Sequence, residues 1–312
     1  MSDLANVLAD FEQERISILQ KTRRPKLIAL VLLVIAIPLF FLEYILPSIA
    51  CGIGAVIAFV ISELPKQRFK QSFKEKVVGE LAKQIDPSVT YAPKGGWHYT
   101  FLHDIGLINT RPNQGKSEDF FKGRIGETDI AFCEQKAEKK TTRTDSKGRT
   151  TTHIEKLFSG LVLEADFHKS FQGETIILPD WAENSGWTWL AKKFQANSRD
   201  GNKIVQLENP EFEKLFAVYG SDQVEARYIL SPAMMTRMVA LYKKLSSSSK
   251  CKIFVAFKAE KMYLAIDWNN NFFEYDFSKS VEEEVRETFD ELKLCTGIVE
   301  DLNLNTRIWS KQ

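Results

Sequence analysis

Cysteine is scarce and scattered. Cys51, Cys133, Cys251 and Cys295 are the four in 312 residues, and no two form a C-x-x-C pair. That spacing excludes a disulfide framework and a thiolate zinc site, and it suits a chain folded on the reducing side of a membrane. Histidine is equally sparse. His98, His103, His153 and His168 make no i, i+4 pair and no H-E-x-x-H, so the sequence offers no metal centre. Phosphate-loop, dinucleotide and serine-hydrolase signatures are missing, and no catalytic residue or cofactor is assigned. Net charge is +1, which removes the broad positive field that nucleic-acid binding would use. No internal repeat is present.

What the chain has instead is one long apolar stretch, Leu27 to Ser62, interrupted by a single acid, Glu43. Arg23, Arg24 and Lys26 precede it, and Lys66, Arg68 and Lys70 follow. A single helix over about 36 residues would measure roughly 54 Å against a hydrocarbon core of about 30 Å. Two runs fit better: Leu27 to Leu42 and Ile45 to Ile61, each roughly 25 Å of helix. Positive residues flank both ends and none sits at the Glu43-Tyr44 tip, so both termini are expected in the cytoplasm. Pro47 suits the first turn of the second helix. Gly52 and Gly54 with Ala50 and Ala58 make a small-residue face for close packing. A cleaved signal peptide is set aside, because a helical stretch precedes the first run and a second apolar run follows it.

Residues 3 to 24 read as an amphipathic helix. Leu4, Val7, Leu8, Phe11, Ile18 and Leu19 fall within about 120° of one another, with Arg15 intruding on the stripe. Pro25 is expected to break this helix. After the hairpin, Phe69, Phe73, Val77, Leu81 and Ile85 recur every four residues, a stripe that drifts about 40° per step. Residues 87 to 115 read as loop with a short helix near Phe101 to Ile108. Strands follow at Phe120 to Ile125, Thr128 to Glu134, Leu157 to Phe167, Glu174 to Leu178, Lys203 to Leu207 and Leu215 to Tyr219. Ser231-Pro232 starts a helix running to about Leu245. Ile253 to Lys258 and Met262 to Trp268 form a hairpin, and Asn269 to Asn271 turn the chain toward Phe272 to Tyr275. A long helix from Val281 to about Leu302 ends the pattern. Strand runs followed by helices, without βαβ alternation, give an α+β fold around an antiparallel sheet. The expected organisation is an amphipathic helix (1–24), a transmembrane hairpin (25–63), a juxtamembrane helix (64–86) and a cytoplasmic α+β domain (87–312).

The most unusual polar segment is Lys139 to Thr152. Both arms carry β-branched residues and neither has an apolar face, so the pair is expected to stand in water around a turn with Gly148 at positive φ. Lys139, Lys140, Arg143, Lys147 and Arg149 make it basic. They are candidates for contact with anionic headgroups or an acidic protein; a solvated hairpin kept soluble by its charge is the alternative. No aromatic residue interleaves with them, which disfavours nucleic acid. Trp181, Trp187 and Trp189 with Lys192, Lys193 and Phe194 read as aromatic cover over a sheet edge, with an interfacial membrane contact as the alternative. Glu164 and Asp166, two apart on a strand, share one face. Asp222, Glu225 and Arg227 are taken as an extended stretch in which a buried Glu225–Arg227 ion pair fixes a corner, with a ligand-binding Arg227 as the second reading.

Three stretches resemble an uncharacterised bacterial family, domain-of-unknown-function family 3137. They are FKGRIGETDIAFCEQKAE (121–138), LFSGLVLEADFHKSFQGETIILPD (157–180) and LENPEFEKLFAVYGSDQVEARYILSPAMM (207–235). The resemblance implies a multi-pass protein of a bacterial inner membrane, with a helix pair followed by a cytoplasmic mixed domain. It carries no activity and therefore no site residues. The expected function is membrane-anchored binding or scaffolding. The bilayer and an unidentified protein would be the partners, without nucleic acid, and the sequence sets no oligomeric state. An enzyme acting on a lipid or envelope intermediate, using groups such as His153, His168, Glu164, Asp166 or Arg227, is the alternative. A transporter subunit is a further one.

Overall fold

The structure, a computed structural model, describes residues 2–167, 169–179, 205–247, 250–268 and 272–304. His168, the Trp181–Phe194 cluster, the start of the Lys203 strand and the Asn269–Asn271 turn lie outside them. Two long apolar helices are followed by an eight-stranded antiparallel sheet and a C-terminal helix, an α+β arrangement. The chain divides into two units. One comprises residues up to Glu80 together with Phe273–Phe289, and the other Leu81–Phe272 and the stretch from Asp290.

In the first unit, α1 (Ser2–Phe41) and α2 (Ile45–Phe73) pack along each other. Both are long and apolar enough to cross a membrane. Their less exposed positions are regular. On α1 they are Thr22, Pro25, Ala29, Leu32, Ala36 and Leu39; on α2 the matching row runs through Ser48, Cys51, Ala55, Ala58, Ser62 and Pro65, with Gly52 and Gly54 beside it. Steps alternate between three and four, the straight seam of two helices wound left-handedly. Small side chains at the seam let the backbones approach. Of the expected small-residue face, Gly52, Gly54 and Ala58 lie toward the seam, a Cβ on Gly54 falling 3.1 Å from the Leu32 side chain, while Ala50 is exposed. Leucine, isoleucine, valine and phenylalanine side chains of the stretch point outward, up to 80% exposed at Leu46.

The turn between these helices closes as a Schellman motif. Tyr44 N–H reaches the Leu39 carbonyl (2.9 Å) and Glu43 N–H the Phe40 carbonyl (3.1 Å), with Glu43 left-handed at φ 65°. At the opposite end Glu63 pairs with Lys26 (3.0 Å) and Lys66 (3.2 Å). Pro25 does not break α1 as expected. Its missing N–H frees only the carbonyl of Lys21, an exposed residue that water can reach.

The four-residue stripe after the hairpin is reconciled by a π-helical segment, Lys74–Val78. A π turn holds more than four residues, so a step of four falls short there and cancels the drift gathered in the α-helix. Phe69, Phe73 and Val77 are accordingly all buried. Phe11 packs edge-on against Phe69 and Phe73, and Tyr275 does the same. Charged groups clasp the returning segment. Lys74 (2.6 Å) and Lys70 (3.5 Å) hold Glu274. The misplaced Arg15 of the stripe donates to the Phe277 carbonyl (3.2 Å), and Glu12 accepts from Val281 N–H (2.9 Å).

The chain passes through α3 (Gly79–Ile85) into the second unit, whose sheet is ordered β1-β2-β3-β4-β8-β7-β5-β6. The strands are β1 (Thr90–Ala92), β2 (Gln114–Ile125), β3 (Thr128–Thr144), β4 (Thr150–Asp166), β5 (Thr175–Pro179), β6 (Phe216–Gly220), β7 (Lys252–Lys258) and β8 (Lys261–Asp267). The segment around α4 (Phe101–Asp104) lays Leu102, Ile105, Leu107 and Ile108 on one sheet face, against Phe158, Val162, Phe254 and Ala265. The other face carries buried Phe121, Phe132, Leu161, Leu163, Val255 and Phe257. Four more helices complete the element list: α5 (Pro210–Glu213), α6 (Gln223–Ile229), α7 (Pro232–Ser246) and α8 (Val281–Asp301). Ser231 caps α7 with Pro232 at its first position, as its sequence signals. One expected strand is absent among the described residues: 205–207 are irregular, although Val205 N–H still bonds the Val218 carbonyl.

Gly160 marks the closest backbone approach. A Cβ there would meet the Ile266 carbonyl oxygen at 2.1 Å. Gly160→Ala is expected to destabilise the protein by about 1–3 kcal/mol or more, read as a lowered denaturation midpoint of the solubilised chain. A second outcome concerns acid. Burial alone would raise the Glu274 carboxyl, but Lys74 and Lys70 outweigh it and hold it below its ordinary value of 4.5. Its stabilisation is therefore complete above the ordinary value and lost as pH falls through the depressed one. Thermal scans should show the stability gap between wild type and Glu274→Gln narrowing between neutral pH and about pH 3.

Candidate functional site

The polar arms of β3 and β4 stay paired to their ends. Lys139 faces Glu155, Lys140 faces Ile154, Thr141 faces His153, Thr142 faces Thr152, Arg143 faces Thr151 and Thr144 faces Thr150. Cross-strand partners share a sheet face. One face thus carries Lys139, Thr141, Arg143, Thr151, His153 and Glu155, and the other Lys140, Thr142, Thr144, Thr150, Thr152 and Ile154. Every residue from Lys140 to Lys156 is exposed, Ile154 included at 52%. Asp145 orders the tip. Its Oδ1 accepts from Lys147 N–H (2.9 Å) and Arg149 N–H (2.8 Å), and Gly148 sits at φ 75°. At the base, Asn113 binds both backbone groups of Lys140 through its side-chain amide. Lys139 donates to the Arg111 carbonyl (3.3 Å), and a bulge between Ala137 and Glu138 marks where the finger leaves the core. Lys139, Lys140, Arg143, Lys147 and Arg149 therefore all lie on one projecting element.

A second feature is a polar cleft of about 720 Å³ on the sheet face. Alternation along the strands lines it. Lys122 and Arg124 come from β2, Asp129 from β3, Glu164 and Asp166 from β4 and Lys261 from β8. Glu164 and Asp166 do share a face. Glu164 accepts a hydrogen bond from Lys261, which raises that lysine above its ordinary value. Arg124 lies 3.7 Å from Asp129. Positive and negative groups neutralise one another here. Sequence reading picked out the β4 pair but not Lys122, Arg124 or Lys261, although the period-two polar pattern of β2 was the available signal. His153 sits on the finger, eleven residues or roughly 36 Å along β4 from Glu164. Arg227 lies on α6, and His98 and His103 bond locally to Thr100 and Asp104. The groups considered for chemistry thus do not converge among the described residues. The three buried thiols are equally unsuited. Burial pushes Cys133 up to about 12, Cys251 up to about 11 and Cys295 well above the usual range.

The corner at 222–227 is not the expected ion pair. The chain there is helical, so Glu225 and Arg227 diverge by about 200° instead of pointing the same way. Asp222 caps α6 by accepting from Val224 and Glu225 N–H. Glu225 accepts from Gln172 and Gly173 N–H, both at 2.6 Å, while Arg227 donates back to Gln223. Lys169 completes the clamp by donating to the Tyr228 carbonyl (2.8 Å) with its ammonium 4.7 Å from the Tyr228 ring centre, and burial lowers its pKa.

The family described as Protein of unknown function (DUF3137) matches residues 156–304, just under half of the chain. That range takes in the second and third stretches of resemblance and α8, but not the first stretch. No curated protein sequence matches the chain. Among solved structures, the crystal structure of the mycobacterial trehalose monomycolate transport factor A is similar at a TM-score of 0.32 and 10% identity. The alignment covers 73% of this chain and 96% of that one.

The clamp separates two accounts of the corner. Glu225→Ala should cost about 1–3 kcal/mol by leaving two loop amides unbonded, while Arg227→Ala should stay within about 0.5 kcal/mol of wild type. Equal losses in denaturant titrations of the two variants would restore the ion pair.

Proposed function

We propose that this chain is a membrane-anchored binding protein of the bacterial inner membrane, with both termini and the sheet unit in the cytoplasm, and that the basic finger is its contact element. The observation that carries this reading is the finger itself. A ladder of paired residues extends past the core with no apolar face to bury, while its tip and base are fixed by Asp145 and Asn113. Order maintained in water without a packing partner is what a presented binding element needs. The anchor reading is supported by the outward apolar side chains of α1 and α2 and by the cations at their ends. Dispersal of the titratable groups favours binding over an enzymatic role.

Crosslinking in intact cells tests this. A photoreactive residue in place of Thr151 is expected to capture a partner, and one in place of Val224, exposed on α6, is not. Reversing Arg143, Lys147 and Arg149 to Glu should reduce capture by about tenfold or more. No adduct at Thr151, or equal adducts at both positions, would remove the finger as a contact element. Topology is tested by a cysteine at Val224, expected to react with an impermeant thiol label only after the cells are opened. The native cysteines of the sheet unit are buried and will not confuse that readout.

A further inference from the structure

Resting on the finger as contact element, we propose that it takes an acidic, extended segment of a partner protein as an added strand along the outer edge of β4, at Thr150, Thr152 and Ile154. Backbone direction follows from two fixed points. Asp145 N–H bonds the Arg149 carbonyl (2.9 Å), and both backbone groups of Lys140 turn to Asn113. In an antiparallel ladder, alternate residues turn their backbone groups to opposite sides. Lys139, Thr141 and Arg143 therefore exchange bonds with Glu155, His153 and Thr151. The N–H and carbonyl groups of Thr150, Thr152 and Ile154 face away from β3. On that side β8 pairs with β4 only from Gly160 to Asp166, and Trp268 N–H adds one bond to Ser159. Among the described residues no strand pairs with Thr150 to Ile154 on the side away from β3. The edge is extended, rich in β-branched residues and free of Pro and Gly, as strand addition requires. The outer edge of β3 is the poorer acceptor, because Asn113 already occupies it at Lys140.

Charge selects the occupant. Between Lys139 and His153 the finger holds five cations against one acid, Asp145. A second finger would bring the same charge to the shared edge and be repelled. A bilayer is flat and meets one face at a time. Here Lys139 and Arg143 lie on one face, Lys140 on the other and Lys147 and Arg149 at the turn, with no aromatic residue to insert. An acidic strand lies along the edge and meets cations from both faces and from the tip.

The test uses the full-length protein in nanodiscs of neutral lipid, followed by residue-resolved amide exchange. The probe is an alternating Glu-Val peptide of roughly six residues, long enough to span Thr150 to Ile154. Exchange at Thr150, Thr152 and Ile154 is expected to slow by about tenfold or more, with Thr151 and His153 unchanged. The same peptide N-methylated at every residue, and an alternating Lys-Val peptide, should leave all three amides fast. No slowing with the Glu-Val peptide overturns the proposal. Equal slowing with the N-methylated peptide also does so, because charge would then act without strand pairing. Slowing by phosphatidylglycerol vesicles but not by the peptide would replace it with a lipid surface. If crosslinks from Thr151 persist while these amides stay fast, strand addition fails and the finger remains a contact element; if both are lost, that reading falls too.

Discussion

One strand has to satisfy two environments, and much of the sheet unit follows from that. β4 runs seventeen residues from Thr150 to Asp166. From Phe158 to Val162 its side chains are buried on both faces; from Thr150 to Lys156 all are exposed. Backbone groups taken out of water must be bonded, and the ladder with β3 supplies those bonds along the whole length. Composition changes along the strand while its ladder with β3 continues; the bonds to β8 stop at Gly160. The bulge at Ala137/Glu138 sits at the changeover, where a local twist separates the packed half from the water-exposed half. At Gly160 the strand passes so close to β8 that no side chain fits.

The first unit solves the same problem with helices. Large apolar side chains are exposed along both of its helices, whereas among the described residues of the sheet unit only Ile154, Val224 and Tyr228 are, and the backbone of α1 and α2 is bonded internally except where Pro25, Pro38 and Pro65 lack an amide. The turn completes the accounting, since the Schellman bonds from Glu43 and Tyr44 use carbonyls that α1 would leave open. At the opposite end the Lys26–Glu63–Lys66 group joins the two helices where charges can reach water. The aromatic cluster of Phe11, Phe69, Phe73 and Tyr275 then gives these helices a packed end to which a distant stretch of sequence returns. That return is non-local, and no periodicity in either segment announces it.

What could be read from sequence was whatever depended on local pattern. The two apolar helices with their turn at Glu43, the strands with clear alternation, the Ser231-Pro232 helix start and the polar arms of the finger were all visible as pattern. What could not be read depended on partners. The 223–229 segment reads as extended if Glu225 is given to Arg227. The capping spacing of Asp222 and Glu225 argued for a helix instead, and the loop amides of Gln172 and Gly173 decide the matter. Arg15 spoils an amphipathic stripe until the Phe277 carbonyl is known to lie beside it. The four-residue stripe from Phe69 looked like steady drift because a π segment leaves no residue signature of its own. Pro25 looked like a stop because the cost of a missing amide depends on whether the freed carbonyl sees water. The small-residue face of Gly52, Gly54 and Ala58 was legible in composition, while Ala50 turns outward and Ala55 joins the three-four row instead.

The finger raises a question about why it stays a finger. A strand pair with unbonded edges is a hazard in any β protein, and edges are protected by charge, by bulges or by cover. This one has charge and a bulge but no cover among the described residues. Charge of one sign protects against copies of the same chain and against nothing of the opposite sign. Thr142, Thr144, Thr150 and Thr152 keep strand propensity high without adding an apolar face, so extension is preserved while aggregation is not promoted. A hairpin needing only solubility would do better with turn formers and less strand propensity along its arms. The combination found here, strong β propensity with selective repulsion, is the composition of an edge kept open for a partner of opposite charge.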